Sequence, residues 1–164
     1  MPLTPFHLGP ALLVAVLLYR RVDLPTALLG SVVVDVRAAL VVFGYLDGPV
    51  HGVLTTFLGG GAVALLVAVG VYALPPSAES VLAWTRLAET GDRSSVAAGA
   101  LVGVLSHVVL DSVLYADADP LYPLDANPLL VGREAVVPVY AGCVAAAVAG
   151  LVLFAVIYSA DDAV

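Results

Sequence analysis

The stretch Ser106-His107-Val108-Val109-Leu110-Asp111 lies in the middle of an apolar run that extends from about Val96 to Tyr115. The run has the length of a membrane-spanning helix, which needs about 20 apolar residues. His107 and Asp111 are four residues apart, so a helix places them on the same face, one turn apart. Because ionisable side chains are costly inside a membrane, the pair predicts a polar site that binds one ion or shares one proton.

The composition of the chain indicates an integral membrane protein. Of its 164 residues 62% are hydrophobic, and the mean hydropathy is +1.07, whereas a soluble domain is about half apolar. The net charge of −7 comes from 13 acidic residues and six arginines, with no lysine. Nucleic acid is therefore not an expected partner, since it requires a basic surface. The acidic, lysine-free composition is typical of a halophilic, archaeal-like organism.

Five apolar segments predict an all-α integral membrane protein, a bundle of about five transmembrane helices in a single domain. The predicted helices are residues 6–19, 24–46, 50–74, 95–115 and 134–158 of the domain 1–164. The first is short, so it either tilts or stops below one membrane surface. Residues 78–90 differ, because Val81, Trp84 and Leu87 recur at three-residue steps. They predict a short amphipathic helix at the membrane interface, or else a helix folded against the end of the bundle.

The placement of arginine predicts the orientation in the membrane. If all five segments cross, Arg20, Arg21, Arg86 and Arg93 fall on one side and Arg133 on the other. The positive-inside rule then places the larger group in the cytoplasm. The protein is therefore expected to be a multi-pass protein of the cell membrane, with its N-terminus outside and its C-terminus in the cytoplasm.

With this topology, the titratable side chains of the helices gather in the outer half of the bundle. His7 and His51 begin the first and third helices, while Asp35, His107 and Asp111 lie roughly 8 to 17 Å below the outer surface at the rise of a helix. Imidazole and carboxylate together suit a divalent metal such as zinc or manganese. A metal with an open coordination position generates hydroxide near neutral pH.

Each of these residues also has a simpler interpretation. The His107–Asp111 pair is alternatively a structural hydrogen bond between neighbouring helices, and His7 and His51 are alternatively interfacial residues at helix starts. Asp35 is a ligand, a general base or the counter-ion of Arg37. The loop after the fourth segment contains Asp117, Asp119 and Asp125, which are expected to be solvated charges. Because the loop lies on the side of the site, the alternative is that it closes over the site or contributes Asp117 or Asp119.

The order of these motifs resembles the membrane-bound metal-dependent hydrolase family, which includes the YdjM-like inner-membrane hydrolases. The matching elements are Thr4-Pro5-Phe6-His7, Val33-Val34-Asp35, His51-Gly52, the HxxxD pair at 107–111, and Leu121-Tyr122-Pro123. The resemblance implies a hydrolase that uses a divalent metal, zinc or manganese, on a membrane-associated ester or phosphoester. It implies His7, His51, His107, Asp111 and Asp35 as ligands. The HxxxD helix is more distantly similar to the zinc-dependent phospholipase C group.

Two positions depart from the family pattern. Thr55 stands where a second histidine is expected after His51, and Arg37 follows Asp35 where a further acid or histidine is expected. A guanidinium beside a dication is favourable only if it binds an anionic substrate such as phosphate, so Arg37 is predicted to be an anion clamp.

These departures leave two other classes of function open. One is a non-catalytic family member that acts as a scaffold or binding subunit of a membrane complex. The other is a small ion or proton pathway, since aspartate and histidine also build relays in membranes. Small residues at Gly99 and Gly103, and at Gly142, Ala146 and Gly150, predict close helix packing and allow a homo- or hetero-oligomer.

Overall fold

The computed structural model of the protein describes residues 5–87 and 91–161. All regular secondary structure in these ranges is helical. Two short 3-10 helices, Val53–Thr55 and Gly132–Ala135, accompany the α-helices, which are α1 (Pro5–Leu17), α2 (Leu24–Val33), α3 (Asp35–Val42), α4 (Phe57–Tyr72), α5 (Pro76–Trp84), α6 (Arg93–Leu114) and α7 (Val136–Asp161).

Among the described residues, three helices are long and apolar enough to cross a membrane: Leu24–Val42, Arg93–Leu114 and Gly132–Ala160, with 19, 22 and 29 residues. The first of these joins α2 and α3 through Val34, whose backbone keeps helical angles. Helix α1 has 13 residues and α4 has 16, which is about 20 and 24 Å against a hydrocarbon core of about 30 Å. The prediction of an all-helical protein with membrane-spanning segments is thus supported, but five complete spans are not confirmed.

The observed helix boundaries correct several predicted ones. The third segment, predicted from residue 50, becomes α-helical only at Phe57, because the hydroxyl of Thr56 caps α4 by accepting the Gly59 N–H at 2.9 Å. The second segment, predicted to residue 46, ends at Val42, and Gly44 then turns the chain with a φ of +75°. The first segment ends at Leu17 instead of residue 19.

The remaining boundaries differ by a few residues. Asp92 caps α6, which therefore starts at Arg93 instead of residue 95, and α7 extends to Asp161 instead of residue 158. The predicted interfacial helix 78–90 is α5, which starts at Pro76 and ends at Trp84. Residues 88–90 of that prediction lie outside the described residues. Helix α5 meets α4 at an angle of 111°, so the two do not form one straight span.

Glycines bring the central helices into backbone contact. A Cβ atom at Gly103 of α6 would overlap the carbonyl of Ala27 in α2, and one at Gly99 would overlap the carbonyl of Asp23. Gly9 of α1 lies in the same way against Cys143 of α7. Because Gly9 faces α7, His7 on the opposite side of α1 faces the interior of the bundle.

The small-residue stripe of α7 is used only in part within the chain. Gly150 lies against Leu12 and Leu13 of α1, whereas Gly142 has no atom within 4 Å among the described residues. A role of this stripe in an oligomer stays a prediction.

Buried polar side chains lie at the two ends of the bundle, with an apolar core between them. Val96, Ala100, Val104 and Val108 of α6 form the middle of that core together with residues of α4. His107 and Asp111 lie toward one end of α6, and Ser95 lies near the other, where Asp23 and Arg86 also meet.

Candidate metal centre

Five side chains predicted as ligands come together at one end of the bundle. Each occupies a defined position at or near the end of a helix. His7 lies in the first turn of α1, and Asp35 lies where α2 gives way to α3. His51 precedes the first 3-10 helix, while His107 and Asp111 occupy the last two turns of α6. All five are buried, with 0 to 7% of their surface exposed. Residues separated by more than 100 positions in the sequence thus share one small volume.

Asp111 is the centre of the cluster. Its Oδ1 lies 3.3 Å from His7 Nε2, and its Oδ2 lies 3.0 Å from His107 Nε2 and 3.5 Å from His51 Nε2. Asp35 approaches from the other side, with Oδ1 3.4 Å from His107 Nε2 and Oδ2 3.8 Å from His7 Nδ1. His7, Asp35 and His107 each place a ligand atom within 4.8 Å of the others.

These separations fit ligands that surround one ion. Four atoms arranged tetrahedrally at ~2.1 Å from a metal are ~3.4 Å apart. The distances from Asp111 to the three imidazoles, 3.0 to 3.5 Å, are near this value pair by pair, while the ligand atoms that lie mutually close belong to His7, Asp35 and His107. Hydrogen bonds, by contrast, have a preferred length near ~2.9 Å together with good alignment.

Three of the imidazole nitrogens have no hydrogen bond. Within residues 5–87 and 91–161, His7 Nδ1, His7 Nε2 and His107 Nε2 are buried without a hydrogen-bond partner. A buried polar group without any partner costs about 1 to 3 kcal/mol, and here the nearest polar atoms are the oxygens of Asp35 and Asp111 at 3.0 to 3.8 Å. Two buried carboxylates beside them add unfavourable like charge, which a cation compensates. The donor set, the spacing and the unpartnered nitrogens all fit a bound divalent metal.

A hydrogen bond from α2 fixes the ring of His107. His107 Nδ1 lies 2.7 Å from the carbonyl oxygen of Ser31. Ser31 is in the last turn of α2, where helix carbonyls lack partners in their own helix. Since a carbonyl only accepts, Nδ1 carries the proton of this hydrogen bond, and Nε2 faces Asp35 and Asp111. Metal-binding histidines are commonly oriented in this way.

Asp117 holds His51 in the same way from the loop after α6. Its Oδ1 lies 2.9 Å from His51 Nδ1, and its Oδ2 accepts the His51 backbone N–H at 3.4 Å. His51 Nε2 is left to face Asp111. Of the two interpretations of Asp117, the contact with His51 favours a contribution to the site over a merely solvated charge, although its side chain is 46% exposed. Nothing in its spacing from His51 signals the contact, which depends on how the loop returns to α4.

The loop is tied down by two further contacts. Asn127 donates from its amide nitrogen to the carbonyls of Ser112 and Ala118, at 2.8 and 3.0 Å. The backbone N–H of Phe57, at the start of α4, donates to the carbonyl of Pro120 at 2.9 Å. Asp117 thus lies on a segment with a defined position.

Tyr115 packs on the other side of His51. The two rings stack with their centroids 4.4 Å apart. Burial raises the pKa of Tyr115 above its ordinary value, so the phenol stays neutral and the ring serves as a packing surface.

The two residues that depart from the family pattern both support the segment that contains His51. Arg37 Nη1 donates to the carbonyls of Pro49 and Val50 at 2.6 and 3.1 Å. The Thr55 hydroxyl donates to the Gly52 carbonyl at 2.8 Å and accepts the Gly52 N–H at 3.1 Å. Thr55 therefore closes the turn after His51, and the role of Arg37 as an anion clamp stays a prediction.

A cavity of about 360 Å³ opens beside the cluster. It is lined by the 49–56 segment and the loop after α6, namely by Pro49, His51, Gly52, Val53, Thr56, Asp117, Asp119 and Tyr122. The His51–Asp117 pair stands between this cavity and the buried carboxylate of Asp111. Molecules that approach from the cavity thus meet His51 first.

Comparisons of the chain with family models, with curated proteins and with solved structures found no match. The resemblance to the membrane-bound metal-dependent hydrolases accordingly stays a prediction from the motifs. What the chain does is inferred from its own residues.

Proposed function

We propose that the protein is a membrane-embedded, metal-dependent hydrolase whose ion is held by His7, His51, His107, Asp35 and Asp111. The observation that supports this most directly is the set of buried imidazole nitrogens that face two carboxylates without hydrogen-bonding to them. Nitrogen and oxygen ligands without a thiolate suit zinc or manganese.

The residues of the chain supply orientation and proton transfer. A bound dication lowers the pKa of a coordinated water so that hydroxide forms near neutral pH. Ser31 and Asp117 keep the rings of His107 and His51 directed toward the centre. Asp35 is the most exposed of the five cluster residues, at 7%. It therefore has the best position to accept a proton from an attacking water, as an alternative to binding the ion itself.

The substrate in this proposal is a membrane-associated ester or phosphoester. Arg37 follows Asp35 by two residues and lies behind Pro49 and Gly52, which line the cavity. In the proposed function it clamps an anionic part of the substrate, such as a phosphate.

In the proposed function, the protein is a member of the membrane-bound metal-dependent hydrolases with the topology predicted from its arginines. All five apolar segments belong to the membrane domain, with α1 and α4 as short members beside three full-length spans. Arg20, Arg21, Arg86 and Arg93 face the cytoplasm. The metal centre then opens outward, with the N-terminus outside and the C-terminus inside the cell.

A proton relay through the protein is a weaker candidate. It would need polar groups between the His107 end and the Asp23 end of the bundle. The buried side chains of that region include Ala27, Ala100 and Val104, each fully inaccessible to solvent. Such an apolar layer disfavours proton movement from end to end.

Metal analysis tests the proposal. We expect the protein purified in detergent to contain about one zinc or manganese per chain, measured by plasma mass spectrometry. His107→Ala and Asp111→Asn are expected to lose that metal and also to lose hydrolysis of detergent-dispersed ester or phosphoester substrates. Ser106→Ala, the neighbouring residue on α6, is the matched control and keeps both.

One outcome would overturn the proposal in favour of a scaffold. This outcome is a wild-type protein that is folded, contains no metal, and fails to take up added zinc or manganese.

A further inference from the structure

The cavity beside His51 has an apolar rim at the ends of the helices. Val53 and Tyr122 line it and are 54% and 48% exposed. Leu54 and Leu121 follow and precede them in the sequence and are 40% and 37% exposed. Val53 and Leu54 precede α4, and Leu121 and Tyr122 follow α6, so the rim lies where helices leave the membrane. Apolar and aromatic side chains at this level contact lipid near the headgroups.

The inner wall of the same cavity is acidic. Asp117 and Asp119 contribute two carboxylates to it, and His51 is the one basic side chain among its described lining residues. If Asp35 and Asp111 neutralise a bound dication, the carboxylates of the cavity are left with a charge of about −2 and attract a positive group. The face of the Tyr122 ring adds a surface that favours an ammonium ion.

We propose that this cavity receives the headgroup of a membrane lipid that contains an ammonium group, with the hydrocarbon chain lying across Val53 and Tyr122. The ammonium lies near Asp119. This inference rests on the proposed function and narrows its substrate to a zwitterionic or cationic amphiphile. The cavity volume of about 360 Å³ is within the range of small-molecule sites, roughly 300 to 1,000 Å³.

The position of the cavity connects the headgroup to the metal centre. His51 lines the cavity, and its Nε2 lies 3.5 Å from Asp111. Arg37 lies outside the lining of the cavity, with its Nη1 on the carbonyl of the lining residue Pro49. An ester or phosphate placed between the ammonium and the chain would therefore face His51 while the ammonium faces Asp119.

Lipid binding tests this inference without requiring turnover. The full-length protein in maltoside micelles is titrated with phosphatidylcholine or phosphatidylglycerol of identical ether-linked chains, and bound lipid is counted by native mass spectrometry. We expect about fivefold tighter binding of phosphatidylcholine, which is the effect of about one surface charge interaction. Asp119→Asn is expected to remove this preference, and Asp119→Glu to keep it.

Matched controls separate the headgroup from the chain. Asp125→Asn changes an exposed acid of the same loop outside the cavity and is expected to keep the preference. Val53→Ser weakens binding of both lipids, whereas Val148→Ser, at a similarly exposed position of α7, does not. Equal binding of the two lipids, or a preference that survives Asp119→Asn, would overturn the inference.

Metal content distinguishes this result from that of the proposed function. A metal-loaded protein without a lipid preference refutes the headgroup site alone. A metal-free protein that still prefers phosphatidylcholine refutes the hydrolase and keeps the lipid site.

Discussion

The two ends of the helix bundle both bury charged side chains, but they pair them differently. At the α5 end, Arg86 donates from Nε to Asp23 at 2.5 Å and from Nη1 to Glu79 at 2.6 Å, and Asp23 also accepts from Thr26. At the other end, Asp35 and Asp111 face three imidazoles at 3.0 to 3.8 Å.

The two ends differ in the number of buried side-chain atoms that lack a hydrogen-bond partner. At the α5 end, one atom of the described residues, Arg86 Nη2, is buried without a partner. At the other end three imidazole nitrogens are in this condition. A cluster whose charged side chains hydrogen-bond to one another stabilises the fold. A cluster whose buried polar atoms lie close together without hydrogen bonds indicates a bound ligand. Removing a side chain should therefore affect stability at one end and metal binding at the other.

The largest effect is expected for Asp23→Ala. Asp23 is fully buried and caps α2 as well as pairing with Arg86. Burial lowers the pKa of Arg86, but hydrogen bonds to Asp23 and Glu79 outweigh it, so the net pKa is raised. Without Asp23 this cation is left poorly compensated, and we expect a loss of about 3 to 5 kcal/mol in unfolding free energy. Unfolding in mixed micelles, followed by circular dichroism, measures it.

Asp111→Asn in the metal-free protein serves as the contrast. The substitution is expected to leave the unfolding free energy nearly unchanged or to increase it, because it removes one of two neighbouring buried carboxylates. If Asp23→Ala and Asp111→Asn lost the same unfolding free energy, the two ends of the bundle would not differ in the way proposed.

Asp117→Ala tests the support of His51. Because Asp117 fixes the ring through Nδ1, its loss is expected to weaken metal affinity about tenfold, at the lower end of the range for such partners, since its side chain is half-exposed. Competition with a chromophoric chelator measures the affinity. Asp125→Asn is the control in the same loop, and an unchanged affinity in Asp117→Ala would exclude His51 as an oriented ligand.

Thr55→Val tests the turn after His51 with a side chain of the same shape. It removes the two hydrogen bonds to Gly52, and we expect metal affinity to fall about fivefold, equivalent to about 1 kcal/mol. Thr55→Ser keeps the hydroxyl and is expected to restore the affinity in the same chelator competition. If Thr55→Ser is as weak as Thr55→Val, the hydroxyl is not what positions the turn.

Sequence alone placed the main members of the cluster, because two of them are a helical turn apart. The spacing of His107 and Asp111 holds in any helix. Counting residues from the helix ends placed His7 and His51 at the outer surface and Asp35 about 17 Å below it, all in the outer half of the bundle. Helix starts were less predictable. The apolar run of the third segment begins near His51, but α4 begins after its cap, Thr56. The first residue of α4, Phe57, donates its backbone N–H to Pro120, a contact between residues far apart in the sequence.

The partners of the ligands were not predictable from pattern. Ser31 contributes a main-chain carbonyl, which leaves no trace in the side-chain sequence. In the sequence, Asp117 does not differ from the other acidic residues of its loop. Its contact with His51 arises from the fold of that loop. Arg37 was expected to bind an anion, which stays a prediction, and its contacts with the carbonyls of Pro49 and Val50 were not foreseen.

The smallest effect is expected at Asp92, an exposed residue at the α5 end that caps α6. Hydrogen bonds from the Ser94 hydroxyl, at 2.5 Å, and from Ser95 lower the pKa of Asp92 to about 2. A carboxyl whose pKa is lowered by folding stabilises the protein above its unfolded pKa of about 4. That contribution is lost as the pH falls to about 2.

Asp92→Asn isolates this titration because asparagine also caps helices well. We expect the wild type to be slightly more stable than the variant at neutral pH and low salt, with the difference closing between about pH 4 and pH 2. Thermal unfolding in micelles across this range measures the difference, and other acids titrate equally in both proteins. A difference that persists at pH 2 would mean that the negative charge of Asp92 is not what makes it a better cap than asparagine.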